Sequence, residues 1–464
     1  MKLSDLQNKK IGIFGYGTEG KALLDYLSSH KVKDISVFDE KNPTEEYLKR
    51  IKEHEAKFIG GPFDKKNHID IEVAFRSPGL SLASIRELLP ENATISSLTN
   101  LFFANCKGKT IGVTGTKGKS TTVNLVGELL KQNNIKHFIG GNIGNPPLNF
   151  LDETAENSYS VLELSSFQTE DLQFSPDIAI ILPISSDHLD FHSNQGEHFN
   201  FHASLEQYLK SKGQLLAKMK KDSLALLYDS KNVRKIAEHS QAKKIYFSET
   251  ESEDIGCFFS NATVKCVVDE REAEFEDIER LSQEKKVPMV NILAVISFGF
   301  VLNYKVDIQS ILSSFKKLPL RIELVGEDKG VKYYNDSAAT NPVSTIAAMK
   351  TMTGKYALIC GGSSKGLSFE VLAHKASTDP RLLKIFLFGQ TSGEIESELK
   401  KAGFQKSIVL KDNLNQVMEE IHRSHGEFGA VLFSPASASF DQYKNYIERG
   451  KHFTELVQKI SAKA

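Results

Sequence analysis

A glycine-rich segment followed by a Lys-Ser-Thr run has the residue types and spacing of a phosphate-binding loop. Its members are Gly115, Thr116, Lys117, Gly118, Lys119, Ser120 and Thr121, directly after a β-prone run. The two glycines let the backbone turn its N–H groups inward, and the amphipathic pattern that follows predicts a helix whose positive end points at the anion. Lys119 supplies a positive charge, and a Ser or Thr hydroxyl can bind Mg²⁺. Because Val113 stands where the general Walker A string has its first glycine, a glycine-rich turn without a ligand is the alternative.

A single carboxylate, Glu163, lies in an apolar strand pattern further along the chain. A buried carboxylate is costly unless it is paired or bound to a metal, so Glu163 is a candidate metal ligand. A carboxylate that faces solvent from an edge strand is the alternative. A second apolar strand, 178–184, leads to a polar run with His188, at the kind of strand end where α/β proteins gather ligands. His188 and His192 have the spacing of a zinc protease, but Leu189 stands where that motif requires Glu, which disfavours zinc.

A second glycine turn follows the strand pattern 11–14 near the N-terminus. It contains Gly15, Gly17 and Gly20, and Asp39 ends the next strand pattern. This is the Rossmann fingerprint, in which a helix N-terminus approaches a diphosphate and an acidic residue approaches a ribose. The motif fits a nicotinamide dinucleotide, another diphosphate ligand, or a tight turn without a ligand, and by itself it does not separate these alternatives.

The alternation of strand and helix patterns predicts an α/β protein with three domains. The chain has 464 residues, and domains of roughly 150 residues are common. We predict a Rossmann-like domain at 1–106, a central P-loop ATPase-like domain at 107–318 and a second Rossmann-like domain at 319–464. The strand patterns of the outer domains are 11–14, 35–38, 73–75, 93–96, 331–334, 356–360, 385–388, 407–410 and 431–433. In the third domain, polar runs after three of the strands favour a site at one sheet edge.

Composition and charge exclude several classes of protein. The net charge of −1 provides no field that would gather nucleic acid or an anionic membrane, so neither is expected as a partner. The run 287–304 is interrupted by polar residues and predicts a buried helix, and residues 1–10 lack the apolar region of a signal peptide. We expect reduced thiols and a cytoplasmic protein, because no Cys-x-x-Cys pair occurs among the four cysteines. These cysteines are Cys106, Cys257, Cys266 and Cys360.

Five motifs together resemble the Mur ligases of peptidoglycan synthesis, in order over nearly the whole chain. They are Thr114-Gly115-Thr116-x-Gly118-Lys119-Ser120-Thr121, Glu163-Leu164-Ser165-Ser166-Phe167-Gln168, Asp187-His188-Leu189-Asp190, Asn335-Asp336-Ser337 and Asp441-Gln442-Tyr443-Lys444-Asn445. Three of these strings are similar to those of the family member that adds D-glutamate to UDP-N-acetylmuramoyl-L-alanine. The resemblance implies that ATP activates the substrate carboxylate as an acyl phosphate, which the amine of D-glutamate then attacks. It also assigns the N-terminal glycine turn to the UDP diphosphate, and not to NAD.

The resemblance further implies which residues bind each substrate. For ATP they are the loop residues 115–121 with Asn291, Arg321 and Asp336. For the UDP-linked substrate they are Gly15, Gly17, Thr18, Glu19, Asp39, Ser77, Pro78, Gly79, Asn142 and His188. For D-glutamate they are Thr340, Lys365, Ser439 and Tyr446. The residues implied to be catalytic are Lys119, Glu163, His188 and Lys212.

Two Mg²⁺ sites are also implied by the resemblance. Ser120 and Glu163 would hold the first ion, and His188 with a carbamylated Lys212 would hold the second. A lysine ammonium would repel Mg²⁺, whereas a carbamate offers the anionic oxygens that a hard cation prefers. The alternatives are another amino-acid-adding Mur ligase, folylpolyglutamate synthase and, from a different class, an NAD(P)-dependent oxidoreductase. We expect the protein to be a monomer.

Overall fold

A computed structural model provides the structure. It describes residues 1–40, 43–63, 70–185, 204–251, 256–315, 319–364, 368–424 and 426–461. These residues form two compact units, of which the first contains two β-sheets and the second contains one. Each sheet lies within one of the three predicted domain ranges; the domain bounds themselves stay a prediction.

The first sheet is a small parallel α/β sheet built from the N-terminal residues. Its strands are β1 (Ile11–Phe14), β2 (Ile35–Asp39), β3 (Lys57–Gly60), β4 (Val73–Arg76) and β5 (Thr94–Ser96). They pair in the order β3-β2-β1-β4-β5, and all four pairings are parallel. The helices are a 3₁₀ helix (Leu3–Leu6), α1 (Thr18–Ser29), α2 (Glu45–Glu53), α3 (Leu82–Leu88) and α4 (Leu98–Asn105). Strands β1, β2 and β4 are buried almost throughout, as their continuous apolar runs predict.

The second sheet is the largest and belongs to the same compact unit. Its strands are β6 (Lys109–Thr114), β7 (His137–Gly141), β8 (Tyr159–Glu163), β9 (Ile178–Ile181), β10 (Leu224–Tyr228), β11 (Lys243–Ser248), β12 (Gly256–Ser260), β13 (Thr263–Val268) and β14 (Arg271–Phe275). Their order is β14-β13-β12-β11-β10-β9-β6-β8-β7, with antiparallel pairing only in the hairpins at the β14 end. The helices are α5 (Lys119–Gln132), a 3₁₀ helix (Pro147–Glu153), α6 (Ser166–Thr169), α7 (Leu205–Ala217), α8 (Lys231–Ala237), α9 (Ile278–Lys285), α10 (Met289–Val301) and α11 (Ile308–Ser314).

The third sheet forms the second compact unit. Its strands are β15 (Glu323–Asp328), β16 (Val331–Asn335), β17 (Tyr356–Gly361), β18 (Leu382–Phe388), β19 (Ser407–Lys411) and β20 (Ala430–Phe433). They pair in the order β15-β16-β20-β17-β18-β19, and only β15 is antiparallel to its neighbour. The helices are α12 (Pro342–Lys350), α13 (Glu370–Thr378), α14 (Ser392–Lys401), α15 (Leu414–Arg423) and α16 (Tyr446–Ser461).

The predicted α/β class with a central phosphate-binding domain is confirmed, and so is the buried helix within 287–304, which is α10. Within the described ranges, no helix combines the length and apolar character of a membrane-crossing segment. The expectation of reduced thiols is wrong for one pair, since a disulfide joins Cys257 to Cys266. The sequence gives no sign of this bond, because it depends on the antiparallel register that places the two cysteines directly opposite each other in β12 and β13. Cys106 and Cys360 are free thiols.

Candidate active site

The predicted phosphate-binding loop joins β6 to α5 at the carboxyl edge of the central sheet. Gly115 and Gly118 have φ values of +154° and +83°, where residues other than glycine are rarely found. A Cβ atom on Gly115 would lie 2.6 Å from the Cβ of Leu182, so the loop passes too close to the neighbouring strand end for a side chain. Lys119 Nζ donates to the carbonyl oxygens of Gly115 (3.1 Å) and Thr116 (3.0 Å), which places its ammonium over the loop.

Asn291 of α10 braces the point where the loop becomes a helix. Its Nδ2 donates to the carbonyl oxygen of Gly118 (2.9 Å) and to Oγ1 of Thr122 (2.8 Å), and the residue is fully buried. A Cβ on Gly118 would lie 2.5 Å from this Nδ2, which explains the glycine there. Asn291 Oδ1 is buried and has no hydrogen-bond partner among the described residues. The implied contact of Asn291 with ATP stays a prediction.

Thr116 ties the loop to the segment that follows β9. Its backbone N–H donates to the carbonyl of Pro183 (2.9 Å), and its Oγ1 accepts from the backbone N–H of Ser185 (3.0 Å). The Tyr208 hydroxyl of α7 lies 3.3 Å from the same Oγ1. The Thr116 hydroxyl therefore fixes the shape of the loop. The other predicted members of the loop differ in exposure, with Lys117 exposed, Thr121 half-buried and Ser120 buried.

Glu163 is the last residue of β8, and its carboxylate is buried next to the loop. Strand β8 pairs with β6 so that Glu163 lies opposite Val113, one strand away from the glycines. Oε1 accepts from Nδ2 of Asn142 at 3.0 Å, whereas Oε2 has no partner among the described residues. A buried, unsatisfied carboxylate oxygen is costly, and it is the type of ligand that Mg²⁺ prefers. The candidate metal ligand thus fits its role, and the solvent-facing alternative is wrong because Glu163 is 3% exposed.

Lys212 of α7 is buried beneath the same loop. Its Nζ donates to the carbonyl of Gly115 (3.0 Å) and to Oγ1 of Thr114 (3.2 Å), and it lies 4.7 Å from the centre of the Tyr208 ring. Burial holds the pKa of Lys212 well below its usual value, and the nearby Lys119 ammonium lowers this pKa further. An amine with a lowered pKa is neutral more of the time, and the neutral amine is the form that can react with carbon dioxide.

The implied metal ligands are only partly covered by the described residues. Ser120 belongs to the loop, and Glu163 and Lys212 lie next to it. His188 lies outside the described residues, so its placement is not tested. Among the described residues, no group of three or more His, Cys, Asp or Glu side chains could by itself hold a metal ion. A carbamate on Lys212 and the hydroxyl of Ser120 are groups of other kinds, so this finding does not test the implied set.

A cavity of about 370 Å³ lies at the carboxyl edge of the first sheet. Five of the residues implied to bind the UDP-linked substrate line it: Gly15, Gly17, Asp39, Ser77 and Gly79. Aromatic rings form much of the remaining wall: Phe14, Tyr16, Phe38, Tyr47, Phe58 and Phe63. The carboxylate of Asp39 accepts from the backbone N–H of Tyr16 at 2.7 Å, so it stabilises the glycine turn. Thr18 and Pro78 are sequence neighbours of residues that line the cavity, but they do not line it themselves.

Two implied substrate residues lie away from this cavity. Asn142 contacts Glu163 in the central sheet, as described above. Glu19 directs its carboxylate to α6, where Nε2 of Gln168 donates to Oε1 at 2.6 Å. Burial raises the pKa of Glu19 to about 7, although the Gln168 hydrogen bond and the Arg76 guanidinium lower it. Glu19 therefore contacts the segment after Glu163, and its direct contact with the nucleotide stays a prediction.

The second compact unit brings three polar strand ends to one sheet edge, as predicted. Strands β16, β20 and β17 are neighbours, and their carboxyl ends lead into the runs that begin at Asp336, Ser434 and Gly362. Ser434 Oγ donates to Oδ2 of Asp336 at 2.7 Å. Burial raises the pKa of Asp336 to about 7, while the Ser434 hydrogen bond and the positive charge of Arg321 lower it. Asp336 and Arg321, both implied ATP ligands, are thus near each other.

The residues implied to bind D-glutamate belong to the same unit but differ in exposure. Ser439 is buried, Thr340 is half-buried, and Tyr446 is 39% exposed at the start of α16. The carbonyl of Tyr446 accepts from Oγ of Ser337, which joins α16 to the strand end after β16. Lys365 lies outside the described residues. The roles of all four stay predictions.

Two buried arginines at these edges were not anticipated. Arg76, at the end of β4, and Arg449, in α16, are 2% and 0% exposed. Each donates several hydrogen bonds to backbone carbonyls of loops that contain implied site residues. The Arg76 position could have been flagged, because a cation ends an otherwise apolar strand pattern there. Nothing in the sequence around Arg449 distinguishes it from a surface arginine.

The loop between β6 and α5, with a buried carboxylate on the adjacent strand, defines a P-loop nucleotide-binding α/β protein. The family model "Mur ligase middle domain" matches residues 113–289. A UDP-N-acetylmuramoylalanine–D-glutamate ligase of Ruminiclostridium cellulolyticum is 31% identical, with 98% of each chain covered. A ligase of the same name from Thermoanaerobacter sp. strain X514 is also 31% identical, over 98% of this chain and 99% of the relative.

A solved structure, the UDP-N-acetylmuramate–alanine ligase of Thermotoga maritima, has the same fold. Its TM-score is 0.57 at 19% identity, with 97% of this chain and 100% of that chain covered. At that identity the likeness concerns the fold alone. The whole-chain relatives carry the family assignment: the chain belongs to the Mur ligases, among the UDP-N-acetylmuramoylalanine–D-glutamate ligases.

Proposed function

We propose that this protein joins D-glutamate to UDP-N-acetylmuramoyl-L-alanine and converts ATP to ADP and inorganic phosphate. The observation that carries the proposal is the buried Glu163 carboxylate next to the glycine loop, with one oxygen unpartnered among the described residues. Membership of the family supports the choice of substrates, because relatives that match over the whole chain bear this activity in their names.

The reaction is a two-step activation of a carboxylate. A carboxylate oxygen of the UDP-linked substrate attacks the γ-phosphorus of ATP, the bond to the bridging oxygen breaks, and ADP leaves. The amine of D-glutamate then attacks the carbonyl carbon of the acyl phosphate, loses a proton, and expels inorganic phosphate. Phosphoryl transfer depends mainly on positioning and on neutralisation of charge. The ammonium of Lys119, which lies over the loop, would neutralise charge, and the N–H groups at the start of α5 would position the phosphoryl oxygens.

Mg²⁺ supplies further charge neutralisation at the phosphoryl oxygens when it is bound. Ser120 and Glu163 are the residues that would hold one ion. A second ion requires anionic oxygen at Lys212, which a carbamate provides, together with His188. The buried position of Lys212 under Gly115 supports this assignment, because an uncompensated ammonium there is costly.

The remaining substrates are assigned to the other two sheet edges. The cavity of the first sheet binds the UDP moiety: its glycine turn approaches the diphosphate, and its aromatic wall suits a flat base. The polar edge of the third sheet binds D-glutamate, whose two carboxylates require the hydroxyls of Thr340 and Ser439 and the ammonium of Lys365. A monomeric state and a cytoplasmic location stay predictions of the sequence.

A phosphate-release assay tests the proposal. ATP, Mg²⁺, UDP-N-acetylmuramoyl-L-alanine and D-glutamate are supplied together and then each is omitted in turn. We expect release only when all four are present. Phosphate release that does not depend on the amino acid would refute ligation. A preference for a different amino acid or for a folate acceptor would favour a related ligase. Reduction or oxidation of a nicotinamide cofactor by any substrate would favour the oxidoreductase alternative.

A further inference from the structure

We infer that Arg76 is a positioning residue that couples the UDP-substrate cavity to the segment after Glu163. Arg76 ends β4, immediately before the loop 77–80, which includes cavity-lining residues. Its Nη1 donates to the carbonyl of Leu80 at 2.7 Å and lies 3.4 Å from that of Pro78. One end of the guanidinium therefore fixes the cavity loop. The identity of the substrate in this inference rests on the proposed function, whereas the contacts of Arg76 do not depend on it.

The other end of the guanidinium binds segment 167–171, which follows strand β8 of the central sheet. Nη2 donates to the carbonyl of Phe167 at 3.0 Å, and Nε and Nη2 lie 3.2 and 3.1 Å from Oδ2 of Asp171. The carboxylate of Glu170 lies 3.8 Å from Nη1. Segment 167–171 begins four residues after Glu163, so one side chain links the cavity loop to the chain that leaves the candidate metal site.

Two further contacts join the same regions. Gln168 donates to Glu19, which lies in the first turn of α1 directly after the glycine turn. Asn100 of α4 donates to the carbonyl of Asp171 (2.9 Å) and accepts from the backbone N–H of Gln173 (2.7 Å). Arg76 differs from Gln168 and Asn100 because its buried guanidinium forms hydrogen bonds with both the cavity loop 77–80 and segment 167–171.

Burial makes this link rigid. The side chain of Arg76 is 1% exposed and that of Asp171 is 9% exposed, so water competes little for their hydrogen bonds. Phosphoryl transfer requires the substrate carboxylate, whose position is set from the cavity, to meet the γ-phosphoryl group of ATP held near Glu163. A misplacement of about 1 Å between such groups can reduce the rate by about a hundredfold. Arg76 lies outside the cavity wall and the phosphate loop, so it acts through position only.

Steady-state kinetics of Arg76→Met, Arg76→Lys and Asp171→Asn test this role. For Arg76→Met we expect kcat to fall by about a hundredfold, with KM for ATP unchanged. Arg76→Lys should recover part of the loss, because an ammonium keeps the charge but cannot reach both loops. The matched control is Arg86→Met, an exposed arginine of α3 that donates to the carbonyl of Ala93.

The outcome distinguishes positioning from general stability. An unchanged kcat per active enzyme, with only a lower active fraction or equal increases in both KM values, would show a structural role only and overturn the inference. If Arg76→Met does not fold, Asp171→Asn decides, since it removes the negative charge that pairs with Nε and Nη2 of Arg76 and keeps a side chain of the same size. Normal kinetics for that variant would overturn the inference.

Hydrogen exchange provides a readout that does not depend on ligation. We expect UDP-N-acetylmuramoyl-L-alanine to protect amides at 77–80 and at 167–171 in the wild type, but only those at 77–80 in Arg76→Met. Protection of both segments in the variant would refute the coupling. If the wild type binds the substrate but releases no phosphate, the proposed function fails while the exchange result still decides the role of Arg76.

Discussion

Replacement of Arg449 by methionine should destabilise the second compact unit severely. The guanidinium is fully buried, and four hydrogen bonds join it to two strand-end loops. Nη1 donates to the carbonyls of Ser437 (3.0 Å) and Ala438 (2.8 Å), Nη2 donates to that of Ser337 (3.0 Å), and Nε lies 3.2 Å from Oγ of Ser337. Burial lowers the pKa of Arg449 to about 10, so the group is still charged at neutral pH.

The magnitude follows from the acceptors that methionine leaves behind. Three buried carbonyl oxygens lose a charged donor, and each unsatisfied buried acceptor costs about 1 to 3 kcal/mol. Relaxation of the loops and burial of the methionine side chain offset part of this, so we expect a loss of about 3 kcal/mol. For a unit of this size that corresponds to a decrease in Tm of roughly 6 to 12 °C.

Differential scanning calorimetry of the full chain measures this shift. The control is Arg423→Met, because Arg423 is an exposed arginine of α15 whose ion pair with Glu420 (3.5 Å) is of the surface kind worth about 0 to 1 kcal/mol. A shift for Arg449→Met no larger than that of the control would refute the reasoning. In folded Arg449→Lys protein, KM for D-glutamate should rise, since Ala438 adjoins Ser439.

Three further predictions concern the first compact unit. Gly118→Ala should weaken ATP binding at least about tenfold, because a left-handed φ costs about 1–2 kcal/mol for alanine and the new Cβ would displace Asn291. A nucleotide titration measures this loss. The control is Gly330→Ala, because Gly330 has a similar φ of +81° but open space around the position of a Cβ. Burial raises the pKa of Glu19 from 4.5 to about 7, so its contribution to stability is present below about pH 4.5 and is lost as the pH rises through about 7. Urea unfolding of Glu19→Gln across this range should show a weaker decline, and an unchanged decline would contradict the assignment. Lys212→Ala should abolish phosphate release, and undiminished release would rule out a carbamate ligand there.

The sequence predicted the buried parallel strands of the two outer sheets and the glycine loop between β6 and α5, because their signals are local. Continuous apolar runs mark strands that are buried on both faces, and paired glycines mark a backbone that must turn towards an anion. Strand β15 was missed for the converse reason. It is a half-exposed edge strand with charged residues and an irregular register at Gly326, so its pattern resembles a loop.

The candidate site was predicted in its parts but not in its connections. Glu163 was singled out correctly as a buried carboxylate, but its contact with Asn142 was not predicted. The contact between Glu19 and Gln168 was likewise not predicted. Both contacts join residues that are distant in the sequence, and they depend on how the sheets and helices pack. Residue types and spacing carry no information about such pairs.

The three most deeply buried basic side chains of the described residues show why these connections matter. Arg76, Lys212 and Arg449 are at most 2% exposed, although lysine and arginine are normally surface residues. Each donates to backbone carbonyls that follow the carboxyl ends of parallel strands, one at each sheet. Loops at such edges expose many carbonyls that no strand can satisfy, so a buried nitrogen donor can hold a loop in one shape without a ligand. Glycine and hydroxyl residues are the candidates for contact with substrates, whereas the buried basic side chains hold the loops in place. A conservative change at Arg76 or Arg449 should therefore alter the position of a substrate without removing any group that binds it.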